Sequence, residues 1–212
     1  VAAAAPVTAL LLGVVVALVA AGGGAPRQQV GRLLLAALEV LLPLAVAMTA
    51  VSIVARDGCR ELQLSLPTRY PGTLARRLGV LALAGTLGAL VFSAALGLTG
   101  WWTGPRSPAA PLVWLAPTLG LAGLAVLVGV LGRGPALATT VVAGIWLGEL
   151  LFADWFGTET RARPFFLFTT VWFGVEDWWP NRLTLTALGL VAVGAVAALL
   201  HRPHLLLTEE ER

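Results

Sequence analysis

The stretch Leu33-Leu-Leu-Ala-Ala-Leu-Glu39-Val-Leu-Leu-Pro43-Leu-Ala-Val-Ala-Met-Thr-Ala-Val-Ser-Ile-Val-Ala55 decides the fold class. Glu39 is its only charge, and it exceeds the roughly 20 apolar residues that a helix needs to cross a bilayer. Backbone groups in lipid must pair within their own segment, so the stretch reads as a helix. Pro43 cannot offer an N–H to the carbonyl four residues earlier, that of Glu39 itself. A carboxylate and a freed carbonyl therefore make a polar spot inside an apolar span.

Similar stretches recur on both sides. Candidate spans fall at about 7–24, 33–55, 78–100, 111–131, 136–152 and 183–200; the fifth is short and carries Glu149. No period-two alternation suggests a β-barrel. The expectation is an all-α polytopic membrane protein, one domain of six transmembrane helices. No basic residue precedes the first apolar run, so a retained span is expected there rather than a cleaved leader.

Composition agrees. Of 212 residues, 58% are hydrophobic and 12% charged, about half the usual quarter for a soluble domain. Mean hydropathy is +0.88. These values exclude a disordered chain, a nucleic-acid-binding tail and an ordinary soluble enzyme. All 14 basic residues are arginine, and on so apolar a chain they point to lipid phosphates rather than nucleic acid.

Charge orients the spans. The 56–77 connection holds Arg56, Arg60, Arg69, Arg76 and Arg77, Arg133 lies in a tight turn, and Arg202 follows the last span. Placing these in the cytoplasm puts both termini inside a cell membrane. Seven of the eight tryptophans then fall on the outer side, around 101–114 and 155–179, where an interfacial belt seats them.

Several chemistries are excluded. A P-loop needs a lysine, and there is none. No His-Glu-x-x-His helix or Gly-x-Ser-x-Gly turn is present, and Asp57 and Ser52 do not make an intramembrane protease. Cys59 is the single cysteine, and His201 and His204 are the only histidines, so no metal site is expected. The chain reads as a non-enzyme.

The 56–77 connection is the most informative. Cys59, Leu62 and Leu66 fall at i, i+3 and i+7, an apolar stripe on a short helix that Pro67 stops. Such a helix lies in the headgroup region or docks into a groove on a cytosolic protein. The run Glu61-Leu-Gln-Leu-Ser-Leu-Pro-Thr68, followed by Leu74-Ala-Arg-Arg77, resembles the cytoplasmic connection of ABC-2 type transporter permeases. Trp178-Trp-Pro-Asn-Arg-Leu183 before a final span, and Leu199-Leu-His-Arg-Pro-His-Leu-Leu206 after it, are similar to the family's ending. The resemblance implies a coupling helix at about Gly58 to Leu66 that meets a cytosolic ABC ATPase, with Arg60, Glu61, Leu62, Ser65 and Leu66 as its contact residues. It implies a second permease subunit, identical or related, and ATP and magnesium held by the ATPase and not by this chain. It also implies short re-entrant helices on the outer side within Pro164 to Pro180, made apolar by Phe165, Phe166, Phe168 and Trp172. The family usually begins with an amphipathic elbow helix before the first span, whereas this sequence opens directly in apolar residues.

Glu39 and Glu149 are the intramembrane carboxylates, functional candidates by default. In the family the second and fifth spans line the route, so Glu39, Pro43 and Glu149 are candidates for the pathway or its gating. The competing reading pairs the carboxylates with Arg32, Arg161, Arg163 or Arg182. Gly144-x-x-x-Gly148 and Gly85-x-x-x-Ala89 mark close helix packing, within the chain or against a second copy. The expected function is a permease subunit of an ATP-driven exporter. A non-transporting assembly, anchoring or immunity-type membrane protein is the alternative.

Overall fold

The computed structural model describes residues 4–55, 70–105, 109–132, 135–174 and 178–200. Among them every regular element is helical. Helix α1 spans Ala4–Gly22 and α2 Arg27–Ala36; a π-helical turn at Ala37–Leu41 leads into α3, Leu42–Ala55. Helix α4 covers Tyr70–Leu98, α5 Leu112–Leu131 and α6 Pro135–Leu151. Short α7, Ala153–Thr158, a 3₁₀ turn at Arg163–Phe165 and α8, Thr169–Phe173, precede the last helix, α9, Trp178–Leu200.

Five helical stretches are long and apolar enough to cross a bilayer: Ala4–Gly22, Arg27–Val54, Gly72–Leu98, Leu112–Leu131 and Trp178–Leu200. Helix α6 is apolar but shorter, at 17 residues. Val19, Val91 and Val191 are each about 70% exposed on three different helices. In water such faces would be costly; in lipid they meet their own kind. The chain is a multi-span helical membrane protein.

Besides α2, which begins at Arg27 rather than Leu33 and takes Arg32 into the helix, two helix starts differ clearly from the hydropathy reading. Helix α4 begins at Tyr70 rather than Leu78, taking Arg76 and Arg77 into its first turns. Both arginines are exposed, and arginine favours helix while its long stem carries the charge outward. Helix α9 begins at Trp178 rather than Leu183, so Asn181 and Arg182 belong to the helix and not to the connection. Pro180 is tolerated because first-turn N–H groups have no intrahelical acceptor. An apolarity rule stops at a charge; the helix continues because this charge finds a partner.

Helix α5 is the central post, with α3 and α9 packed along it and α6 against both α3 and α5. The α5–α9 seam is close because it is glycine-built. A Cβ on Gly189 would lie 2.6 Å from the backbone of Leu119, and one on Gly123 would lie 2.9 Å from the carbonyl of Gly189. Backbone contact of this kind replaces the hydrophobic drive that lipid cannot supply. Gly85 packs on Val46 and Ala89 is fully buried, whereas Gly144 and Gly148 face open space. Of the two small-residue pairs, only the one in α4 packs against another element among the described residues.

Candidate functional site

The site begins with the break in the second span. A proline at the second position of α3 cannot continue the α-pattern backwards. The backbone widens into one π turn, in which Leu42 N–H donates to the carbonyl of Ala37, five residues earlier. Trp146 of α6 donates its indole N–H to the carbonyl of Val40 at 3.0 Å, supplying a donor where the helix is irregular. Such turns often mark functional positions. This one carries Glu39, which is fully buried.

Glu39 faces the segment between α7 and α9. Its Oε1 accepts the backbone N–H of Thr170 at 2.9 Å, and its Oε2 accepts that of Val171 at 2.7 Å. These are the second and third residues of α8, whose N-cap position is Phe168, a side chain without a capping oxygen. A carboxylate from 131 residues away therefore does what an N-cap serine or aspartate does locally. Free N–H groups in an apolar surrounding each cost several kcal/mol, so the short helix depends on this capping.

Arg182 completes the arrangement. It forms a salt bridge to Glu39 Oε1, with both side chains fully buried. It also donates to Thr170 Oγ1 at 2.6 Å and reaches the Leu167 carbonyl at 3.4 Å. Trp178 Nε1 donates to the same Thr170 hydroxyl at 3.1 Å, so one oxygen collects donors from two residues of α9. Asn181 gives its amide N–H groups to the carbonyls of Arg163, Pro164 and Phe166 at 2.7–3.1 Å. The first turns of α9 thus hold four carbonyls between Arg163 and Leu167 and the Thr170 hydroxyl. Arg182 Nε and Asn181 Oδ1 are buried without a hydrogen-bond partner.

Glu149 works on the same segment from α6. Its Oε2 accepts the Leu167 N–H at 2.6 Å, and the residue is 7% exposed. No ion pair joins it among the described residues. The two intramembrane carboxylates therefore converge on one five-residue backbone stretch, 167–171, from different helices.

Apolar contacts seat the segment. Phe166 and Phe168 are fully buried; Phe166 stacks on Phe156 with centroids 4.9 Å apart, and Phe168 meets Trp146 edge-on at 6.3 Å. Phe165 and Trp172, grouped with them in the sequence, are instead about half exposed. Upstream, the Arg163 guanidinium donates to the Gly157 carbonyl, through Nε at 3.1 Å, and lies over the Phe173 ring. Downstream, α8 ends at Gly174 with φ 77°, a conformation that glycine adopts without strain.

The coupling residues Arg60, Glu61, Leu62, Ser65 and Leu66 lie outside the described residues, as do Cys59, His201 and His204. Pro43 is buried at the base of the π turn and next to the site. Arg182 was one of four pairing candidates for the carboxylates, and it is the one that meets Glu39. Thr170 was not singled out by sequence, and Trp178 and Asn181 entered only through the run that resembles the family's ending; a Trp-x-x-Asn-Arg run opening an apolar helix was the available signal. Among the described residues, no three His, Cys, Asp or Glu side chains gather as a metal site. No family model matches the chain, and neither a curated protein nor a solved structure matches it.

Proposed function

We propose that the chain is the membrane-spanning permease subunit of an ATP-driven transporter of the ABC-2 type, an exporter that pairs with a second permease subunit. Its supports are the resemblance of the 61–77 and 178–206 runs and the arrangement between the last two apolar helices. The observation that carries most weight is the segment Arg163–Phe173, two short helical pieces folded back against the bundle and held by side chains of α6, α9 and the π turn. Under this reading the segment lies at the outer mouth of the route. Both Glu39 oxygens already accept donors, which favours a holding role over direct contact with solute. The chain has no lysine, so P-loop ATP hydrolysis belongs to a cytosolic partner that takes the 56–77 connection as its docking element. Both termini then face the cytoplasm.

Affinity purification of the full chain from its native membrane, followed by identification of bound chains, tests the reading. A stoichiometric nucleotide-binding subunit is the expected companion. Glu61→Ala with Leu62→Ala should then lower substrate-stimulated ATP hydrolysis several-fold while insertion and assembly persist. Recovery of the chain with no ATPase subunit would overturn the permease reading and leave the assembly or anchoring alternative.

A further inference from the structure

The 163–173 segment is fastened unevenly. Both of its ends reach Gly157: Arg163 donates to the Gly157 carbonyl, and the Phe173 ring packs where a Cβ on Gly157 would come within 2.9 Å of it. Its far end is Gly174, with φ 77° and open space around the position of a Cβ. Between them, residues 167–171 are held by polar groups from three other elements: Glu149 on Leu167 N–H, Glu39 on the N–H groups of Thr170 and Val171, and Arg182 on the Thr170 hydroxyl.

Two features add to the apolar seating of Leu167 and Phe168 in the core. The interactions are directional and converge on one cation, Arg182, through which Glu39, Thr170 and the Leu167 carbonyl are joined. The network is also incomplete, with Arg182 Nε and Asn181 Oδ1 buried and unpartnered. A fully satisfied buried network rigidifies its surroundings; this one leaves a donor and an acceptor on α9 without a partner.

We infer that residues 167–171 are the free edge of a lid and that Arg182 is the positioning residue of its latch. Arg182 keeps Glu39 aimed at the two N–H groups of α8, and when that hold is lost the edge lifts about Gly174 while the helices stay packed. The latch stands on geometry within this chain; its use as the outer gate of a solute route rests on the permease reading above.

Thiol labelling tests the latch without nucleotide, substrate or partner, so its outcome is separate from that of the purification experiment. The full chain is placed in lipid nanodiscs, where both faces meet water, and Cys59→Ser removes the native cysteine. Thr169→Cys reports on the lid, since Thr169 is 3% exposed, and Leu96→Cys, 6% exposed in a cluster that holds no residue of the 163–173 segment, reports on the neighbouring helices. The probe is a water-soluble maleimide. Arg182→Met should raise the Thr169→Cys labelling rate at least tenfold and leave the Leu96→Cys rate unchanged. Arg182→Lys, which keeps the cation, should restore most of the slow rate. Thr170→Val, which removes only the hydroxyl, should raise it two- to fivefold. An equal rise at both reporters means general loosening and overturns the latch, as does an unchanged rate at Thr169→Cys in the Arg182→Met protein. Should Arg182→Met fail to fold, Thr170→Val decides by the same criterion.

Discussion

Glu39 and Glu149 are two carboxylates in apolar helices that serve the same backbone stretch in different ways. Glu39 sits where Pro43 has broken the helix into a π turn, and it is fully buried because Arg182 cancels its charge. Glu149 sits two residues from the end of α6, takes one N–H, has no cation beside it among the described residues and retains 7% exposure. A carboxylate can be sealed completely when a cation and two N–H groups come with it. Without the cation, this one stays at a helix end.

The contrast can be broken most severely at Glu39. Glu39→Leu leaves Arg182 buried without its counter-charge and should cost roughly 3–5 kcal/mol, read as a shift in mixed-micelle unfolding. Glu149→Leu strands only the Leu167 N–H, so a loss of about 1–3 kcal/mol is expected in the same assay. If Glu149→Leu proved the costlier change, charge compensation would not be what separates the two sites. Thr170→Val removes one acceptor shared by Arg182 and Trp178 and should cost about 1 kcal/mol. Trp146→Phe tests the support behind the π turn: losing the bond to the Val40 carbonyl should cost about 0.5–1 kcal/mol, with less effect on lid labelling than Thr170→Val.

Much of this was legible in the sequence. Hydropathy located the helices within several residues, because an apolar run of spanning length leaves few other folds open. Pro43 announced a break beside Glu39 through the missing N–H alone. The partner choice was harder to read. Four arginines stood in the connections, and a residue 143 positions away in sequence is selected by helix crossings that no local pattern encodes. The extent of α9 was hidden for the same reason, since a charged residue ends an apolar window even where the fold supplies its counter-ion. The aromatic cluster was legible as a group but not by face. A segment of short turns has no single period, so nothing in the spacing separates buried Phe166 and Phe168 from half-exposed Phe165 and Trp172.

Small residues show the same limit from another side. Gly144 and Gly148 have the four-residue spacing of a packing motif but meet nothing among the described residues, while Gly123 and Gly189, on different helices, form a seam of direct backbone contact. Spacing within one helix describes a face; only the crossing decides which face is used.

The central claim is that the Glu39–Arg182 pair holds the lid as one unit. A double-mutant cycle on Glu39→Met and Arg182→Met measures it most directly. Each single change should be strongly destabilising and the double change far less so than their sum, giving a coupling of roughly 3–5 kcal/mol. Additive effects, with coupling below about 0.5 kcal/mol, would contradict the account.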